Sequence, residues 1–371
     1  MIAFRRPRLV PGIALIFAIA TFGIPNAAAR TARPPRRSCT SQWRPVPAPA
    51  PYFDGLTDVS AVSDNDVWAV GASGYVSSAG LIEHWDGVAW SVVPFEPVGT
   101  NTSFYGVSAT AADDAWAVGS VTGLPSSALV EHWNGTKWSA MRTQAGGSFN
   151  AVVANSRTDV WALGSGLVGS TIQPFVEHWD GHSWQVVSLP TLPDGGYFNH
   201  GASTPSGLWG VGFDSSGQKA LAERWDGSRW TIVTTPDVAD SFLLGMDALG
   251  DADAWAVGYY QQNPHQPLTE HWNGSAWSQV LVGGVPQYSQ LSGATMISST
   301  DVWAVGHYDN GVATPLVEHW DGTVWTRVRA PGGSEDAKLL AVDSVGDTAW
   351  AVGYKGGFKK HRPLVLQACG I

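Results

Sequence analysis

EHWDGTVW, residues 318–325, holds two tryptophans, a Glu-His pair and an Asp-Gly turn within eight residues. Alone it has the composition of a catalytic cluster. The same frame, however, stands at 83–90 (EHWDGVAW), 131–138 (EHWNGTKW), 177–184 (EHWDGHSW), 223–230 (ERWDGSRW) and 270–277 (EHWNGSAW). A single active site needs one asymmetric constellation, whereas a cluster present six times reads as scaffold. Glu318, His319 and Trp320 are therefore taken as structural.

A second motif precedes each copy. It reads DVWAVG at 66–71, DAWAVG at 114–119, DVWALG at 159–164, GLWGVG at 207–212, DAWAVG at 253–258, DVWAVG at 301–306 and TAWAVG at 348–353. Its tryptophans, Trp68, Trp116, Trp161, Trp209, Trp255, Trp303 and Trp350, stand 45 to 48 residues apart. With Trp43 added, all 20 tryptophans fall in this frame.

Each repeat offers four short β-type runs bounded by turn residues, in the first about 57–62, 66–71, 80–85 and 88–93. Asp-Gly or Asn-Gly between the third and fourth runs is a hairpin signal, because both residues tolerate positive φ. A loop of two or four residues puts Trp85 and Trp90 on one face and His84 on the other. One four-stranded sheet that is apolar on both faces cannot bury itself. Seven packed radially can, with tryptophans filling the wedges between blades. The repeated Glu and His are expected to hydrogen-bond turns or adjacent blades, since buried polar groups need partners. The chain is thus predicted to be all-β: a seven-bladed β-propeller of four-stranded blades over residues 39–371.

The seventh repeat is one strand short. PLVLQACGI (363–371) aligns with PLVEHWDGT (315–323), and CTSQWRPV (39–46) aligns with DGTVWTRV (321–328). The N-terminal strand is therefore expected to complete the last blade, with Trp43 in the place of Trp325. Cys39 and Cys369, the only cysteines, both align with the turn position of Asp321. A Cys39–Cys369 disulfide is expected to replace the missing turn, contributing on the order of 5 kcal/mol in a chain-entropy model.

Upstream, Arg5, Arg6 and Arg8 precede an apolar run at 9–24 and Ala27–Ala29. This reads as a secretory signal peptide (1–29), then a basic linker (30–38). The expectation is a secreted, monomeric protein with no membrane span after cleavage, in a compartment that permits disulfides. A net charge of −10 argues against nucleic acid as a partner. No H-E-x-x-H, P-loop or G-x-S-x-G occurs, and no cofactor or metal is expected. The D-x-D pairs Asp64/Asp66 and Asp251/Asp253 read as turn caps before Ca²⁺ ligands.

The order VWAVG, HWDG, then Trp resembles kelch-type propellers across residues 39–371, although a single Gly ends the second strand and Trp replaces the usual Tyr. The chain is also similar to the propeller of galactose-oxidase-like proteins. Their copper-radical chemistry uses a Tyr cross-linked to a Cys, and both cysteines here are assigned to ring closure. Kelch-type propellers mostly act as binding platforms, so the resemblance implies a non-enzymatic binding module; fold alone does not fix function.

Function is expected where the repeat is broken, in the loops joining second and third strands. Blades one to three continue with small residues (Ala72-Ser73, Ser120-Val121, Ser165-Gly166), and blade four with Phe213-Asp214. Blades five to seven continue YYQQNPH (259–265), HYDNG (307–311) and YKGGFKKHR (354–362). Tyr259, Tyr260, His307, Tyr308 and Tyr354 are expected to form one aromatic patch beside Gln262, Asp309, Asn310 and Lys355. Such a patch suits a glycan or a cell-surface protein. The alternatives are a polysaccharide lyase or hydrolase, pairing Asp309 with Asp214, Glu335 or Asp336, or a purely structural envelope protein.

Overall fold

The computed structural model describes residues 42–49, 54–74, 79–99, 101–122, 127–144, 146–216, 218–333, 335–357 and 360–371. The expected signal peptide, the linker and Cys39 lie outside them.

Blade one is an antiparallel meander of Asp54–Ser63, Asp66–Ser73, Ala79–Trp85 and Trp90–Val92. Six further four-stranded sheets repeat the plan. The alternation that the sequence shows is what the pleat requires: successive side chains serve opposite blades. Trp85 lies opposite Trp90, so the connection has four residues, 86–89. Asp86 Oδ1 closes it by accepting the N–H of Val88 at 2.8 Å and of Ala89 at 2.9 Å. Gly87 holds φ +88°, and a Cβ there would meet the Asn65 side chain at 2.5 Å.

Tryptophans lock each blade to the next. Trp68 of blade one meets Trp133 and Trp138 of blade two, both at 5.1 Å. The same trio recurs around the ring, ending with Trp350 against Trp85 and Trp90 at 5.1 and 5.5 Å. Only the contact between blades six and seven is reduced. There Trp303 meets Trp43 at 5.7 Å, and Ala368 occupies the place of the third-strand tryptophan. A tryptophan removes about 150–250 Å² from water, and its edge-to-face contacts add to that.

The N-terminal strand does complete the last blade. Arg44 and Pro45 pair with Gln367 and Leu366 in Arg362–Cys369. Val46 N–H donates to Val365 O at 2.9 Å, and Arg44 to Gln367 Oε1 at 2.9 Å.

First strands pack against first strands to form the inner ring. Each is a sheet edge with unpaired backbone groups, an aggregation hazard if left bare. Side chains of one blade cover the edge of the next. Asp58 accepts Val107 N–H at 2.8 Å, Ser60 accepts Ala109 N–H at 3.1 Å, and Asp343 accepts Ala61 N–H at 2.7 Å. Asn150 and Asn199 donate to Phe198 O and Leu243 O at 2.7 and 2.8 Å. No helix among the described residues is long and apolar enough to cross a membrane.

Candidate functional site

The repeated EHW cluster is consumed by the scaffold. His84 Nε2 lies 2.7 Å from Asp66 Oδ1, and its ring packs on Trp68 at 4.3 Å. His132–Asp114, His178–Asp159, His271–Asp253 and His319–Asp301 repeat the pair at 2.7–2.9 Å. In blade four Gly207 replaces the Asp, and Arg224 reaches Asp251 at 3.2 Å while lying over Trp209. The repeated glutamates are fully buried. Glu177 accepts the N–H of Gln144, from the segment joining blades two and three, at 2.8 Å. Glu131, Glu223, Glu270 and Glu318 have no hydrogen-bond partner among the described residues. Burial pushes their pKa values up to about 7, 8, 8 and 7.

The inner ring also holds titratable groups. Asp58, Asp247 and Asp343 are partly accessible, but protein surrounds them, and desolvation raises them to about 7, 7 and 6. The carboxyls of Asp247 and Asp343 each accept one N–H of the next residue and one from the adjoining blade. These acids are engaged in edge covering. His200 is held down to about 4 by desolvation. The D-x-D turns are engaged as well: Asp66 and Asp253 by histidines, Asp251 by Ser206 and Arg224. No group of three metal-ligating side chains occurs among the described residues.

The face carrying the loops between second and third strands is different in each half of the ring. In blades one and two its paired positions hold Gly55 with Ala72 and Ser103 with Ser120; in blade three, Ser148 with Ser165. In blade four the pair is Tyr197–Phe213, and in blade five Phe242–Tyr259. These four rings join into one stack: Tyr197–Phe213 at 5.6 Å, Phe213–Phe242 at 4.3 Å and 11°, Phe242–Tyr259 at 4.9 Å and 13°. His265 continues it at 5.6 Å from Tyr259, and Tyr288 of blade six ends it at 6.3 Å from His265. Six rings thus span three blades. All are partly exposed, Tyr288 most, at 47%.

The expected patch is divided by the pleat. Tyr259 enters this stack, but its neighbour Tyr260 turns to the core between blades four and five, and Tyr308 to that between five and six. His307 is 8% exposed, its Nδ1 has no partner, and desolvation with nearby Lys338 lowers it to about 4. Tyr354 packs on His361 at 4.5 Å and against Gly55 of blade one. Lys355 stands in register between Ala337 and Arg362, and the exposed Gln262 follows Tyr260. Asp309 and Asn310 line a cleft of about 530 Å³ together with Pro286, Gln287, Tyr288 and Gly311.

Tyr197, Phe242, His265 and Tyr288 were not singled out by the loop comparison. Three lie in or beside first strands, and aligning those strands shows Tyr197 and Phe242 where blades one to three carry Gly or Ser. Backbone strain marks the same sector. Among the described residues, the non-glycine residues at positive φ are Gln218 (47°), Asp240 (52°) and Tyr288 (58°), all on this face in blades four to six.

The carboxylates weighed for hydrolysis are each engaged by a local partner. Asp309 caps Gly311 N–H at 2.7 Å, Asp336 accepts Ala313 N–H at 2.9 Å, Glu335 pairs with Arg362 at 2.9 Å, and Asp214 caps Ser216 N–H at 2.8 Å.

No protein-family model matches the chain, so its kelch-type resemblance has no such support. No curated protein matches it in sequence. Solved structures do match in fold. YCF48 bound to a D1 peptide aligns with a TM-score of 0.60 and 16% identity, covering 90% of this chain and 100% of that one. The WD40 propeller domain of Doa1 aligns with a TM-score of 0.58 and 10% identity, covering 88% and 97%. YCF48 from Cyanidioschyzon merolae aligns at 0.58 and 16%, covering 88% and 98%. At such identities the likeness concerns fold alone, and that fold is the seven-bladed β-propeller.

Proposed function

We propose that the protein is exported and acts as a non-enzymatic binding module for a cell-surface partner. Its binding face is the one that carries the variable loops, and the ligand is gripped over blades four to six. The observation that carries this reading is the stack of six partly exposed rings, begun at paired positions that hold only Gly, Ala or Ser in blades one to three. Aromatic groups dominate binding energetics because they bury large areas with few rotatable bonds. YCF48, a propeller of similar fold, is known with a bound D1 peptide, which supports a binding role for such a scaffold.

Export rests on residues 1–29, and the kelch-type reading of the repeat belongs to the same proposal. An oxidising compartment would also let Cys39 and Cys369 close the ring covalently. A catalytic role is less well supported, because each weighed carboxylate is engaged in a turn, a strand end or an ion pair.

The test is binding of the purified, labelled protein to intact cells and isolated cell walls of the source organism. The expected result is saturable binding, weakened at least ~10-fold in a Phe242→Ser/Tyr259→Ser variant. A folded variant that binds like wild type, release of soluble sugar from the wall, or no binding at all would overturn the proposal.

A further inference from the structure

We infer that the cleft between Tyr288 and Asp309–Asn310 is a subsite for one neutral sugar ring. This rests on the loop face being the binding face, and adds the chemistry of what it binds.

The first observation is shape. The cleft has a volume of about 530 Å³, within the range that holds a small ligand. One wall is the segment Pro286–Tyr288 leading into blade six, and the other is Asp309–Gly311 at the end of that blade's second strand.

The second is backbone strain at an exposed ring. The equivalent residue, two before the first-strand position that faces the end of the second strand, has positive φ in three successive blades: Gly195, Asp240 and Tyr288. Blade four uses glycine, which adopts this conformation freely. Blade six places a tyrosine there at +58°, a genuine outlier for a bulky side chain. A ring that is 47% exposed does not repay such strain by filling a core. Strain of this kind clusters at ligand contacts.

The third is chemistry. The Tyr288 hydroxyl donates to Asn263 Oδ1 at 3.3 Å, which holds the ring beside His265. Opposite it, Asp309 spends Oδ1 on the N–H of Gly311 at 2.7 Å. The other carboxylate oxygen and the side-chain amides of Asn310 and Gln287 are available to a ligand. An exposed ring meets the C–H face of a pyranose, and planar amide and carboxylate groups take its hydroxyls. A carboxylate, two amides and no lysine or arginine in the cleft lining favour a neutral sugar over an anionic one.

Tyr288→Gly separates this role from a structural one, because the two move in opposite directions. Glycine relieves the positive φ, so Tm should stay level or rise, while the ring is lost. The probe is an array of neutral gluco-, manno- and galacto-oligosaccharides, followed by titration of any that bind. Expected is binding by wild type, reduced at least ~10-fold in Tyr288→Gly and by about 5-fold or more in Asp309→Asn, which keeps the turn cap but loses the charge. Undiminished binding by Tyr288→Gly, or a marked fall in its Tm, overturns the inference. Wild type that binds cells but no sugar also overturns it, while leaving the binding-module reading with a protein partner. Binding to neither sugars nor cells removes both.

Discussion

Blades two and five are built alike and finished differently. In blade two Trp116 meets Trp179 and Trp184 of blade three at 5.7 Å, and His132 holds Asp114 at 2.8 Å. In blade five Trp255 meets Trp320 and Trp325 at 5.0 and 5.1 Å, and His271 holds Asp253 at 2.8 Å. At the loop face, however, Ser103 faces Ser120 in one and Phe242 faces Tyr259 in the other. The lock and the rim occupy the same two strands, a few residues apart, and are encoded independently. A propeller of this kind keeps its stability in what every blade shares and, on the proposed reading, its specificity in what one sector does not.

The largest effect should appear in the shared part. Trp116→Ala and Trp255→Ala each leave a cavity at a blade interface and should each cost about 3–5 kcal/mol in denaturant unfolding. A difference above roughly 2 kcal/mol would break the equivalence of the two blades. Next comes the rim. Exchanging the pairs sharpens the contrast: Ser103→Phe/Ser120→Tyr should leave cell binding unchanged, whereas Phe242→Ser/Tyr259→Ser should abolish most of it. Equal losses from both variants would place the ligand elsewhere.

A smaller effect, again set by the shared part, is on pH. Glu131, Glu223, Glu270 and Glu318 sit at about 7–8 when folded, and Asp58, Asp247 and Asp343 at about 6–7. All are raised above their ordinary carboxylate values, so the stability they give is full below those values and is lost as pH rises through 6–8. His200 and His307, both lowered to about 4, act oppositely, their contribution being lost as pH falls from about 6.5 toward 4. Seven carboxyls outweigh two imidazoles, so Tm should rise from pH 8.5 to pH 5.5; a flat or falling profile would contradict the burial of the glutamates. The smallest effect belongs to the turns. Asp321→Asn should shift Tm by no more than roughly 1 °C, because blades two and five already use Asn134 and Asn273 there, with the same caps to the N–H groups two and three residues on.

The fold was legible because its determinants repeat. DVWAVG and EHWDG recur at a fixed period, and Trp43 aligned with Trp325 placed the closing strand that Arg44 and Pro45 form. The site was legible only in part, because its determinants do not repeat. Loop residues after Tyr259 drew the eye to blades five to seven, yet consecutive aromatics such as Tyr259-Tyr260 point to opposite faces, and only one reaches the rim. The remaining rings come from other segments. Phe213 stacks on Phe242 across a blade boundary 29 residues away in sequence, a contact that no local pattern announces. Tyr288 was hidden for another reason: its significance lies in a backbone angle, which composition does not reveal.

The most direct measurement is hydrogen–deuterium exchange of the protein with and without a solubilised cell-wall glycan fraction. Protection confined to residues 196–198, 213–218, 240–242, 259–265, 286–290 and 309–311, with none at 101–122, is the expected footprint of a ligand held on the aromatic sector. Protection spread evenly over the seven blades, or concentrated at the Asp-Gly turns on the other face, would contradict it.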